Sequence, residues 1–205
     1  MLKIYLARHG QNEDNANGIL NGHRDFPLTQ LGESQAVEVA RKIKASGLHF
    51  DYILTSPLCR ASKTAEIIAE ICTFNAPIVE ERLIERDFGS MTGVDQSRVE
   101  ELCAPDILKT DTVTYFLCPD GAEIFPDLLE RAVELLDTLR STHKDGSILL
   151  VTHGDIGKMI YAAYYNMDWK SVLEQFHFGN SDVLELSAKS SSAQSHVFKV
   201  KQYNT

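Results

Sequence analysis

Short apolar runs alternate with amphipathic stretches along this chain. That pattern argues for an α/β protein of three layers (α/β/α), with helices on both faces of a mostly parallel central sheet. Three observations carry the reading. Segments such as IYLA (4–7) and ILLV (148–151) are continuously apolar, as strands covered on both faces are. Between them lie segments whose apolar residues recur at helical spacing. Near the end, Ser181–Leu186 and His196–Lys201 alternate with period two around a serine-rich link, which predicts a C-terminal hairpin.

Taken in order, residues 2–7 read as the first strand. Gln30–Ser46 reads as a helix, with Leu31, Ala36, Val39, Ala40 and Ile43 on one stripe and Gly47 as the stop. Asp51–Thr55 predicts a second strand, and Pro57 opens a helix to about Cys72 whose inner face is Ala61, Ala65, Ile68 and Cys72. Residues 77–80 form a short strand candidate. Residues 86–121 mix polar and apolar side chains, contain Pro105 and Pro119, and read as a lid-like excursion. Within it, Leu102, Ile107, Tyr115 and Phe116 point to a partly apolar rim. Helical spacing returns from Ala122 to Arg140 through Ile124, Leu128, Ala132, Leu135, Leu136 and Leu139. Ser147–Thr152 reads as a central strand, followed by a helix from Gly154 to Tyr165 and a shorter one near 169–176. No repeat or linker divides the chain, so residues 1–205 read as a single domain.

Composition narrows the function. Apolar residues make up 43% and charged residues 24%, the balance of a soluble globular protein. Twenty basic residues stand against 29 acidic ones, a formal charge of −9 that argues against a nucleic-acid groove. A local cationic pocket for a small anion remains compatible with it. No run approaches the roughly 20 apolar residues of a membrane span, and the opening apolar run meets Arg8 too soon for a signal peptide. The four cysteines (Cys59, Cys72, Cys103, Cys118) show neither a CxxC pair nor zinc spacing, so reduced thiols and a cytoplasmic location are expected.

Two apolar strands end alike, in Arg8-His9-Gly10 and in Thr152-His153-Gly154. Ligands of open α/β sheets bind beyond the carboxyl ends of the strands, so both histidines are expected at one edge. The segment TSPLCRASKTA (55–65) brings Arg60 to the same edge at the start of a helix. Two histidines, two arginines and helix N-termini describe a pocket for phosphate, which the guanidinium fork binds bidentately. A divalent metal fits poorly beside two guanidinium groups, and no H-x-x-x-H or acidic cluster accompanies the histidines. Neither metal nor cofactor is therefore expected. The predicted partner is a small phosphorylated metabolite or phosphate anion, with no nucleic acid and no membrane. Taken singly, His23, His49, His143, His177 and His196 lack a partner pattern and read as surface or packing residues.

Arg8-His9-Gly10 with Gln11 and Asn15 resembles the R-H-G-x-x-x-x-N signature of the histidine phosphatase superfamily, the phosphoglycerate-mutase-like proteins. The resemblance runs on through NGHRDFPLTQLGESQA (21–36), TSPLCRASKTA, LIERDFG (83–89), PDGAE (119–123) and LLVTHG (149–154). It implies a phosphoglycerate-mutase-like fold and a phosphohistidine mechanism with His9 as nucleophile. It also implies Arg8, Arg60 and His153 on the phosphoryl oxygens, Asn15 and the Gly154 amide as further donors, and Glu85 as general acid and base. Asn21 and Gly22 fall at the substrate-binding rim. The sequence departs from the family where GSMTG (89–93) replaces G-x-W-E-G, where PDGAE with Ile124 replaces P-G-G-E-S, and where Asn21 stands for a common glutamine. The stretch around residues 20–36 is similar to that of the small phosphatases, so hydrolysis of a small phosphomonoester is the expected activity. Phosphoglycerate mutase-type transfer is the alternative, and a non-catalytic phosphate-binding regulatory module a third reading.

Overall fold

The computed structural model describes residues 1–175, 177–187 and 194–202. Its main sheet contains β1 (Lys3–Arg8), β2 (Tyr52–Thr55), β3 (Ile78–Val79), β6 (Ser147–Thr152), β7 (Val183–Leu186) and β8 (His196–Phe198). The spatial order is β3-β2-β6-β1-β7-β8. The first four are parallel, whereas β7 runs antiparallel to β1 and β8 antiparallel to β7. A separate hairpin joins β4 (Ile107–Lys109) to β5 (Thr114–Phe116).

The period-two pleat sorts each strand onto two cores. Ile4, Leu6, Leu54, Ile148, Leu150 and Leu184 face α5 (Phe125–Thr142), α6 (Gly154–Tyr165) and α7 (Trp169–Gln175). Tyr5, Ala7, Ile53, Leu149, Val151 and Val183 face α2 (Gln30–Ser46) and α3 (Cys59–Cys72). Both faces of the central strands are thus dry, which is why their sequences are continuously apolar. Both His strands sit in the middle, β1 between β6 and β7, and β6 between β2 and β1.

Several boundaries differ from the sequence reading for local reasons. The α3 helix begins at Cys59 rather than Pro57, and the Cys59 N–H is capped from outside by Asp25 Oδ1 at 2.6 Å. The α5 helix begins at Phe125, because Ala122 bridges Phe88 and the Glu123 N–H donates to Asp87 O at 3.0 Å. The strand expected from Ser181 begins at Val183: Ser181, at φ 58°, turns its N–H onto the Arg8 and His9 carbonyls instead. The last strand, expected to Lys201, ends at Phe198. The serine-rich link falls on residues 188–193, outside the described residues.

One short helix and the internal build of the 86–121 excursion went unforeseen. The α1 helix (Glu13–Asn17) is one turn closed by a capping box between Asn12 and Asn15. Residues 86–121 are built from 3₁₀ turns, α4 (Val99–Cys103) and the β4–β5 hairpin, with a core of their own in Phe88, Met91, Val99 and Phe116. Of the expected apolar rim, Tyr115 lines the cavity, while Phe116 and Ile107 pack inward and Leu102 is 46% exposed to solvent. Among the described residues no helix is long and apolar enough to cross a membrane.

Candidate active site

Adjacent parallel strands deliver the two histidines. Arg8 is in register with Thr152, so His9 and His153 leave β1 and β6 side by side, their rings 5.0 Å apart at 59°. The glycine after His9 answers to close packing: a Cβ on Gly10 would lie 2.4 Å from the Gly32 carbonyl oxygen in the first turn of α2.

Hydrogen bonding fixes the His9 tautomer. Its Nδ1 lies 2.6 Å from the Gly10 carbonyl, which can only accept, so Nδ1 carries the proton and Nε2 the lone pair. Burial drives the His9 pKa well below its ordinary value, and Arg60 and Arg8 push the same way. The imidazole is therefore neutral and nucleophilic at physiological pH. Asn180 Nδ2 donates to the His9 carbonyl at 3.0 Å and pins the backbone beneath it.

His153 has its Nε2 2.7 Å from Ser56 Oγ. We assign the hydroxyl proton to that bond, donated from Ser56 Oγ to Nε2, which leaves the His153 proton on Nδ1. This ring is also held neutral, by burial first and then by Arg60, His9 and Arg8.

The arginines are oriented by carbonyls. Arg8 Nη1 donates to Phe178 O at 2.7 Å, and Arg60 donates to Arg24 O at 2.6 Å and Gly22 O at 3.0 Å. Arg8 Nε, Arg60 Nε and His153 Nδ1 are buried without a hydrogen-bond partner. Buried donors are ordinarily paired; two of these three belong to Arg8 and Arg60, the cations that bear on His9, and the third to the ring beside it.

Glu85 sits on the N-terminus of α6. Its carboxyl oxygens accept from the Gly154, Asp155 and Ile156 amides at 3.0, 3.3 and 3.2 Å and from the Arg86 amide at 2.9 Å. Burial raises its pKa above the ordinary value, helped by Asp155 and opposed by the Arg86 and Ile156 amides and by Arg60. The segment is clamped from behind. Arg131 donates to the Arg82 and Ile84 carbonyls at 2.7 and 2.8 Å and pairs with Glu123. His23 Nε2 donates to Glu85 O at 2.8 Å, a position not foreseen for a residue read as surface or packing. Arg86, fully buried among Phe88, Phe116 and Phe125, pairs with Asp155 at 2.8 Å.

Arg8, His9, Asn15, Asn21, Arg60, Glu85 and Gly154 line one cavity of about 510 Å³. Asn15 Oδ1 accepts from the Asn12 N–H and from Asn180 Nδ2, which makes Nδ2 the donating atom of that side chain. Asn21 Oδ1 accepts from Asn12 Nδ2 at 2.6 Å. Three expectations are corrected. His153 is fully buried and is not among the residues lining this cavity, although its ring lies 5.0 Å from that of His9. Gly22 is not among the lining residues; its carbonyl orients Arg60, and its φ of 51° suits a glycine. The Gly154 amide, expected on the phosphoryl group, donates to Glu85 Oε2, because the carboxyl occupies the helix terminus. Sequence reading missed Asn180, Phe178, Lys158, His177 and Gln202 on the cavity wall, where the expected rim residue Tyr115 also lies. His177, Phe178 and Asn180 precede β7, whose antiparallel course returns them to the edge where β1 ends. Assigning the direction of β7 would have found them.

A sequence profile of the Histidine phosphatase superfamily (branch 1) matches residues 4–201, and the chain belongs to that superfamily, whose members are phosphatases or mutases. Among its relatives, a probable phosphoglycerate mutase of Escherichia coli O1:K1 / APEC is 36% identical over 156 residues, 75% of this chain and 70% of that one. A 2,3-bisphosphoglycerate-dependent phosphoglycerate mutase of Mesorhizobium japonicum is 27% identical over 201 residues, 96% and 98% of the two chains. Among solved structures, a mycobacterial glucosyl-3-phosphoglycerate phosphatase complexed with VO3 superposes with a TM-score of 0.78 at 23% identity, covering 98% of each chain. Phosphoserine phosphatase of Entamoeba histolytica, in complex with 3-phosphoglyceric acid, gives 0.69 at 27% identity over 90% of each.

Proposed function

We propose that this chain hydrolyses a small phosphomonoester through a phosphohistidine on His9. The observation that carries the reading is the neutral His9, its Nε2 lone pair set by the Gly10 carbonyl, among three buried unpaired donors. The lone pair attacks phosphorus and the ester P–O bond breaks. Arg8, Arg60 and His153 balance charge on the non-bridging oxygens, with Asn15 donating a further bond. Glu85, whose pKa burial raises, gives its proton to the departing alkoxide. The resulting carboxylate then takes a proton from water, which attacks the phosphohistidine, releases phosphate and restores the His9 lone pair. The four unpaired cysteine thiols suit work in the reducing cytoplasm.

His9→Ala is expected to abolish hydrolysis of p-nitrophenyl phosphate while its circular dichroism and melting curve stay those of a folded protein; surviving turnover would refute the nucleophile. Mutase-type transfer is favoured by the names of the curated relatives. Incubation with 3-phosphoglycerate and a trace of 2,3-bisphosphoglycerate separates the two, since a phosphatase releases inorganic phosphate and a mutase yields 2-phosphoglycerate.

A further inference from the structure

One turn along α6 from Gly154, and so on the same helix face, stands Lys158. Long helical side chains lean back toward the N-terminus, which carries this ammonium to the cavity that Lys158 lines together with Tyr115 and His177. The residue is only 4% exposed. Its Nζ donates to the Tyr115 hydroxyl and lies 4.9 Å from the centre of that ring. Burial, with Arg8 acting the same way, brings its pKa down to about 8, while Asp155 and Glu85 oppose. Asp155 is at the same time engaged by Arg86 at 2.8 Å. At neutral pH, then, the side chain is mostly charged yet removed from water.

This charge is distinct from the one that serves the nucleophile. The cations bearing on His9 are Arg60 and Arg8, whereas Lys158 neighbours Asp155, Arg8, Glu85 and His177. A desolvated ammonium facing a substrate cavity is stabilised by an anion far more than by a neutral hydroxyl. We infer that Lys158, with the Tyr115 hydroxyl beside it, binds the end of the substrate that is not transferred, and that this end is a carboxylate. The substrate class is then a phosphorylated hydroxy acid, as opposed to a phosphorylated sugar or simple alcohol. The inference rests on phosphoryl transfer at His9 and adds to it a residue that determines specificity.

Two probes with the same three-carbon skeleton isolate the charge: 3-phosphoglycerate carries a carboxylate where glycerol 3-phosphate carries a hydroxymethyl group. The wild-type ratio of kcat/KM, acid over alcohol, is expected to be about 30-fold or more, the range of a hydrogen bond to a charged group. Lys158→Met is expected to lower that ratio about tenfold or more, and Lys158→Arg to keep most of it. A merely structural role would depress both substrates together. An unmoved ratio in Lys158→Met therefore overturns the proposal, as does a wild-type ratio near one. The same comparison runs on binding in a His9→Ala background, with Kd for both probes measured by calorimetry with and without Lys158→Met. An acid preference that Lys158→Met removes supports the carboxylate site whether or not the enzyme turns over; equal Kd values refute it. Turnover that persists in His9→Ala counts against the nucleophile alone.

Discussion

Glu85 accepts four backbone N–H groups, an arrangement that by itself favours the carboxylate. Burial and the neighbouring Asp155 push the other way and raise its pKa above the ordinary value. As pH rises through that elevated pKa the acid form disappears, so kcat/KM for an alkyl phosphate is expected to fall on the alkaline side. Glu85→Gln should erase that limb and slow an alkyl phosphate by about 10²–10⁴-fold. It should slow p-nitrophenyl phosphate much less, because nitrophenolate leaves without a proton. Equal losses on the two substrates would remove Glu85 from the role of acid. Arg86 acts at the same scale: its guanidinium, closed in by three phenylalanine rings, neutralises Asp155 and so tempers the upward push on Glu85.

Between elements, the tightest constraint lies where the end of β1 passes the first turn of α2. A Cβ at Gly10 would strike the Gly32 carbonyl at 2.4 Å, and one at Gly32 would strike the Gln11 carbonyl at 1.9 Å. Neither neighbour is a flexible side chain. Gly10→Ala is therefore expected to lose about 1–3 kcal/mol in urea denaturation and to displace His9, lowering kcat/KM as well; wild-type stability would show that the two backbones can part. The same junction explains what was legible in the sequence. Strands β1 and β6 and helices α2, α3 and α6 were readable because their apolar periods report burial directly, and His9, Arg60 and His153 followed from where those elements end. Lys158 and Asn180 were not readable, and of Tyr115 only a place on the rim was. Lys158 looks like an ordinary helix residue until α6 is docked, Tyr115 belongs to an excursion whose lack of period hides its partner Lys158, and Asn180 depends on β7 running backwards.

For the whole molecule, the buried histidines couple catalysis to acid stability. His9 and His153 are held neutral in the fold, with pKa values well below the ordinary 6.5 that they regain on unfolding. Below pH 6.5 the unfolded chain takes up protons that the folded chain refuses, so stability is lost as pH falls. Each histidine that stays neutral in the fold contributes up to about 1.4 kcal/mol per pH unit in that window. Glu85 has the opposite sign, since its raised pKa favours the fold at low pH and that share fades as pH rises through the folded value. Melting curves should show Tm falling from pH 7.5 to 5.5; a flat Tm would mean that the two rings are charged in the fold. The strand order has a consequence for biosynthesis. The nucleophile's strand, β1, is made first, yet both of its neighbours in the sheet come from residues 147–152 and 183–186. During translation its edges stay unpaired until residues 147–152 and 183–186 have emerged, so the site cannot form, and the strand is exposed to misassociation, until then.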